Sequence, residues 1–376
     1  MTRRNFLTKA AVLGAAAFGA PFLSGNRYKL FASCTTQYSA RTIDLVKQSV
    51  VVDMLGLLTL DFPKLYAWQR SPETFGSTDF EKLRVSGINV FHPAVGYDGP
   101  AAYHDSLDDL ARWNRLIDAR PGYFTRVATA NDLAAAKDTG KIGILLGTQN
   151  SDHFRTLEDV DRFYALGQRL SLLSYETNKL GGGSGDSRDP GLSAFGAQVI
   201  ARMNAVGMAV DVAHCGDRTT LDAFAASRKP VLITHSNCRA LVPARARCKT
   251  DEAIRAMAAT GGVMGISMIR GFVCSSGPAT IETVLDHIDR VAKLVGVEHV
   301  GIGSDVDLDG RDHLSPAMLK AEHMIGRTDL DGINYPKKIF DVTEGLVRRG
   351  YNDQNIGLIL GGNFQRALSE IWSVAA

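Results

Sequence analysis

Eight short runs of consecutive apolar residues, each bounded by polar or glycine residues, recur along this chain at helix-length intervals. They are Ser49–Asp53, Ile88–Phe91, Ile142–Leu146, Arg169–Leu173, Met208–Val212, Val231–Thr234, Val263–Ile266 and Val300–Gly303. Apolar residues at consecutive rather than alternate positions suit strands covered on both faces, as in a parallel sheet. Amphipathic stretches lie between them: Leu107–Ala119, Val160–Leu166, Ala194–Val206, Thr220–Ser227, Asp251–Ala259 and Ile281–Leu294. Eight strands alternating with helices predict an α/β fold of the (β/α)8 TIM-like barrel type. A Rossmann-like sheet is the competing arrangement, but no Gly-x-Gly-x-x-Gly follows the first strand.

The N-terminus reads differently from the rest. Thr2-Arg3-Arg4-Asn5-Phe6-Leu7 precedes a small, weakly apolar stretch from Ala10 to Leu23. Two arginines, then Phe-Leu, then such a stretch match a twin-arginine export signal. The stretch is too short for an ordinary spanning helix. Residues 1–35 are therefore expected to be signal and linker, and residues 40–376 one barrel. Export by the twin-arginine machinery implies folding in the cytoplasm and work in the periplasm. Leu30-Phe31-Ala32-Ser33-Cys34 is a faint lipoprotein cleavage pattern, and lipid anchoring at Cys34 is left open. The five cysteines (Cys34, Cys215, Cys238, Cys248 and Cys274) are an odd number without Cys-x-x-Cys spacing, so they read as buried or free thiols. A net charge of +2 with no basic run beyond the N-terminal segment argues against nucleic acid and against a charged membrane surface.

In a barrel of this kind the C-terminal strand ends carry the chemistry. Those ends supply Asp53-Met54-Leu55-Gly56-Leu57, His92, Gln149-Asn150, Tyr175-Glu176, His214, His235 and Asp305-Val306-Asp307. His214 and His235 close neighbouring runs and are expected to face one mouth, and neutral imidazole is a common ligand for a catalytic metal. An aspartate at the last strand end suits a general base. The glycine-rich stretch 181–186 reads as mobile, a lid or an anion cradle. His92, His104, His153, His287, His299, His313 and His323 read as structural or surface residues, with His92 and His153 nearest the mouth.

Taken together, these residues resemble the membrane (renal-type) dipeptidase family, peptidase family M19, within the metal-dependent, amidohydrolase-like barrels. The resemblance is collinear and spans nearly all of the chain after the signal. It runs from Gly191-Leu192-Ser193-Ala194-Phe195-Gly196 through Asp211-Val212-Ala213-His214 to Thr234-His235-Ser236-Asn237. It continues in Arg247, in Gly301-Ile302-Gly303-Ser304-Asp305 and in Gly361-Gly362-Asn363-Phe364-Gln365-Arg366.

The resemblance implies two zinc ions held by a His-x-Asp, a bridging Glu and two histidines. It also implies an Asp as proton acceptor, an Arg for the substrate carboxylate and a His against the tetrahedral intermediate. His214, His235, Asp305 and Arg247 stand at matching positions. The His-x-Asp falls on Leu55-Gly56-Leu57, the bridging Glu on Gln149 and the remaining His on Tyr175. A leucine binds no metal, and a glutamine oxygen is a far weaker zinc ligand than a carboxylate. At most one zinc ion, or none, is therefore expected, with His214, His235 and Gln149 as its donors. Asp305 is expected to be catalytic, and Tyr175, Arg247 and Asn150 to contact substrate.

Two functions follow. One is a metallodipeptidase-like hydrolase that cleaves dipeptides or related small amides with metal-activated water. The other is a degenerate non-peptidase that binds or tailors a peptide-derived metabolite. A homodimer is left open.

Overall fold

The computed structural model describes residues 22–24, 27–29, 37–312 and 327–373. Arg3, Arg4, Cys34, His313 and His323 lie outside the described residues. Within the stretch read as signal and linker, β1 (Phe22–Ser24) and β2 (Arg27–Lys29) pair antiparallel, and β3 (Tyr38–Ser39) adds to β2.

Ten further strands form one sheet. They are β4 (Val52–Asp53), β5 (Val90–Phe91), β6 (Phe124–Arg126), β7 (Ile142–Ile144), β8 (Gly147–Thr148), β9 (Leu170–Leu172), β10 (Ala209–Asp211), β11 (Val231–Ser236), β12 (Met264–Ile266) and β13 (Val300–Ile302). Their order is β6-β7-β5-β4-β13-β12-β11-β10-β9-β8, and the neighbours pair in parallel. The ribbon closes because β7 and β8 are successive parts of one stretch, 142–148. Its first half pairs with β5 and its second half with β9. Between them, Leu145 N donates to Phe91 O and Leu146 O accepts from Arg169 N, each at 2.9 Å. All eight runs read from the sequence hold strands of this ring. The sequence reading missed two strands: β8, just past the end of the run Ile142–Leu146, and β6, which pairs with the first half of that stretch.

Helices cover the ring, as expected for strands apolar on both faces. Ala194–Val206 shows how local signals set one of them. Ser193 caps its start by accepting from Gly196 N, and Gly207 ends it at φ +83°. That left-handed turn admits glycine at little cost and feeds the chain directly into β10. One apolar cluster gathers Val52, Val90, Leu170, Ala209 and Leu232 with Phe364, Leu368 and Ile371 of the helix Asn363–Trp372. Cys215, Cys238 and Cys248 are buried, and among the described residues all cysteines are unbridged.

A buried ion pair ties the rim of the ring to its outer layer. Asp53, at the end of β4, accepts from Ser304 N at 2.7 Å and from Ser304 Oγ at 2.5 Å. Lys338 Nζ, from the helix Lys338–Arg348, lies 3.5 Å from Asp53 Oδ2, and both side chains are fully enclosed. The same ammonium donates to Val306 O at 2.8 Å, in the loop that follows β13. Burial lowers the Lys338 pKa, and Asp53 opposes that shift most. Removing one partner leaves an uncompensated charge. Lys338→Met should therefore lower the unfolding free energy by about 3–5 kcal/mol in a urea titration. Adding Asp53→Asn should recover part of that loss.

Candidate active site

A cavity of about 720 Å³ opens at the C-terminal strand ends. Its polar lining includes Gln149, Asn150, Tyr175, His214, Arg247, Asp305 and Arg311, and its apolar lining includes Leu57, Leu60, Phe62 and Tyr66. His235 sits behind this wall against His214.

Strand register brings the two histidines together. β10 and β11 pair with Asp211 opposite Leu232, and each histidine lies three residues beyond its register partner. Their Nε2 atoms are 3.0 Å apart. Behind them, Asp211 accepts from Ala213 N at 2.9 Å, Thr234 N at 3.0 Å and Thr234 Oγ1 at 2.6 Å. A threonine hydroxyl has one proton. Thr234 gives it to Asp211, so at the 2.8 Å contact its oxygen accepts from His235 Nδ1. The hydrogen-bond network thus assigns His235 the Nδ1–H tautomer, with the Nε2 lone pair toward His214 Nε2–H. Burial holds both imidazoles well below the usual histidine pKa, and the Arg247 charge adds to that. Tyr175 stacks on the His214 ring at 3.9 Å between centroids.

Asp305 is the only non-glycine residue with positive φ among the described residues, at +61°. Such backbone persists where its surroundings over-determine it. Leu55 O takes its N–H at 2.9 Å. Arg311, enclosed in the wall, donates to Asp305 O through Nε at 3.1 Å and Nη2 at 2.6 Å, and to Asp305 Oδ1 at 3.1 Å. Burial pushes the Asp305 carboxyl up, while Arg311 and then Arg247 pull it down. Sequence reasoning missed Arg311. It lies six residues past the strand-end aspartate in a polar loop, with no local pattern to mark it. Arg247 donates to Ala213 O at 2.6 Å, His235 O at 2.8 Å and Ser236 Oγ at 3.1 Å. Its buried Nε has no partner among the described residues.

The remaining expected site residues are engaged in structure. Gln149 Nε2 donates to Ala94 O at 2.9 Å. Asn150 Nδ2 donates to Tyr97 O at 3.0 Å, and its Oδ1 accepts from Asn178 Nδ2 at 2.8 Å and Ser151 N at 3.0 Å. Asn150 thereby pins three loops at the rim. The first half of the glycine-rich stretch expected to be mobile is packed down, while Gly185 stays exposed. Gly181, Gly182 and Gly183 are buried, Ser184 N donates to His214 O at 2.7 Å, and Gly183 bridges to Cys215. A Cβ on Gly183 would sit 2.6 Å from Tyr175 O, so the glycine serves close approach. His92 is buried with Nδ1 2.8 Å from Leu145 O, and burial lowers its pKa to about 4. His153 is buried between Phe154 and Phe163.

The metal question turns on the donor set. Among the described residues, no three His, Cys, Asp or Glu side chains converge as a ligand group. Leu55 and Leu57 are buried hydrocarbon, and the Asp305 carboxylate is engaged by Arg311. These residues do not fit a paired-metal centre. They fit half of one once the proton on His214 Nε2 is displaced. Two nitrogens on a tetrahedral zinc, with bonds of ~2.0–2.1 Å, stand about 3.3 Å apart, close to the spacing of the two Nε2 atoms.

Thr234→Val tests the orienting chain. It removes the hydroxyl between Asp211 and His235 and leaves two buried polar groups unpaired. It should cost about 1–3 kcal/mol in chemical denaturation. It should also shift the His235 imidazole ¹⁵N resonances away from the single Nδ1–H tautomer.

Known proteins place this geometry in a lineage. The chain is 30% identical over 296 residues to dipeptidase tcpJ of Claviceps purpurea, covering 77% of this chain and 64% of that protein. It is 32% identical over 320 residues to dipeptidase verJ of Clonostachys rogersoniana, covering 79% and 76%. The chain thus spans just under two thirds of the first relative's length. Among solved structures, an amidohydrolase from Pseudomonas aeruginosa superposes with a TM-score of 0.76 at 26% identity, covering 88% of this chain and 99% of that one. The sequence profile of the membrane dipeptidase family matches residues 39–376. With the collinear strand ends, the shared fold and these relatives in agreement, the chain belongs to the membrane dipeptidase family, peptidase family M19.

Proposed function

We propose that this protein is a dipeptidase-type hydrolase of dipeptides or related small amides, with at most one zinc ion held by His214 and His235. The observation that carries the reading is the pair of Nε2 atoms 3.0 Å apart, one ring fixed by Thr234 and Asp211, beside a cavity that Arg247 and Asp305 also line. Gln149, in the lining of the same cavity, is a further neutral donor. A zinc ion there supplies Lewis acidity and acidifies water toward ~7.

The chain's own groups do the rest. Asp305 takes the proton of the attacking water, kept in place by Arg311. Arg247 attracts the free carboxylate of the substrate, since its guanidinium is held at the wall by two backbone carbonyls. Tyr175, stacked on His214, stands where a phenol could donate to the developing oxyanion. The family relationship implies peptide substrates.

A second reading has its own observation. Leu57, at one of the positions where the resemblance implies a metal ligand, lines the cavity together with the apolar Leu60 and Phe62. That favours a family member that binds or tailors a peptide-derived metabolite without peptidase turnover.

Elemental analysis of the purified protein, joined to a dipeptide panel, separates the two. We expect no more than one zinc per chain, and hydrolysis reduced about 10²–10⁴-fold by Asp305→Asn. Two ions per chain would overturn the reading of the donor set. No ion and no cleavage would establish the second reading. Residues 1–35 are proposed to send the protein to the periplasm by the twin-arginine route. Arg3→Lys with Arg4→Lys should leave it in the cytoplasmic fraction, checked by immunoblot of fractionated cells.

A further inference from the structure

Leu57, Leu60 and Phe62 form a small apolar cluster separate from the two main cores. Leu57 has a double position. It lines the main cavity, and it also lines an adjoining alcove with Leu58, Leu65, Pro93, Val95 and Trp113. Phe62 and Tyr66 flank both spaces, their rings 6.2 Å apart, and the Tyr66 side chain is 39% exposed. Leu57 and Leu60 are largely covered, so the apolar surface left for a ligand to bury comes mainly from Phe62 and Tyr66 beside them.

The same cavity also carries cationic groups. Arg247 and Arg311 both act on Asp305, the one carboxylate set within the cavity; Asp98 and Glu176 stand exposed at its lip. The alcove's only acid is Asp109, whose Oδ1 takes a hydrogen bond from Arg112 at 3.1 Å. Its charge is already paired with that guanidinium, so it is a poor seat for an ammonium group.

From this mixed apolar and cationic lining we infer an apolar side-chain subsite centred on Leu57. It selects small amides that carry a carboxylate for Arg247 and a bulky aliphatic or aromatic side chain for the leucine corner. The inference rests on the proposed reading of the cavity as a small-amide site and names which amides it prefers. Covering a leucine-sized side chain there corresponds to about tenfold to hundredfold in affinity.

The test is calorimetric titration of the full chain with Gly-Gly, Leu-Gly, Gly-Leu and Leu-Leu. Cleavage is followed in the same samples by chromatography, and KM is compared wherever turnover occurs. At least one leucine-bearing peptide should bind tenfold or more tighter than Gly-Gly. Leu57→Asn should bring that ratio toward one, while Leu57→Met should keep it. Because the ratio is taken within each variant, partial loss of folded protein does not mimic the effect. A wild-type ratio near one, or a ratio unchanged in Leu57→Asn, overturns the subsite. Preference without cleavage supports the subsite and removes the hydrolytic reading. Cleavage without preference does the reverse.

Discussion

Everything at the mouth of this protein depends on the register between β10 and β11. Parallel pairing of Asp211 with Leu232 means that any two residues equally far beyond that point leave the sheet side by side. His214 and His235 are such a pair. A one-residue slip would turn one ring to the opposite face of the sheet. The register is protected from behind, because Asp211 binds both the backbone and the hydroxyl of Thr234 across the strand boundary. The residue that aligns the strands therefore also orients His235.

Ring closure has a similar economy. One stretch, 142–148, pairs with β5 through its first half and with β9 through its second. The offset leaves the outer edge of the first half without a partner, and β6 supplies one. Phe124–Arg126 carries little apolar signal of its own, since Thr125 and Arg126 are only half-buried. It was invisible in the sequence for that reason, whereas the eight runs apolar on consecutive positions were plain. The helices Ala194–Val206 and Asp251–Ala259 were legible to the residue because Ser193 and Thr250 cap them locally. Arg311 and the packed glycines 181–183 were not legible, because their partners lie across loops and only the folded chain brings them close. Composition pointed to mobility at those glycines. The structure uses their missing side chains for contact.

The electrostatics of the site follow from what the chain lacks. A paired-metal centre needs shared negative charge to offset two dications. Here the positions that would supply it hold leucine and glutamine, and the aspartate that remains is partnered by a guanidinium. Arg247 and Arg311 both act on Asp305, and both also depress the pKa of His235. The imidazoles are kept neutral, which suits metal ligation, yet the surrounding field favours an anion. That field suits the carboxylate end of a ligand more than a second cation.

Asp305 shows how this balance is built into the backbone. A left-handed aspartate costs of order 1–3 kcal/mol relative to an ordinary conformation. That cost is met by contacts on both sides of the residue: its N–H bonds Leu55 O, and its own carbonyl takes two bonds from Arg311. The Leu55 side chain is enclosed in the wall while its backbone still holds the aspartate. A change of the Leu55 side chain therefore leaves the backbone contact to Asp305 in place, and Arg311 supplies from within the chain a positive charge at its carboxylate.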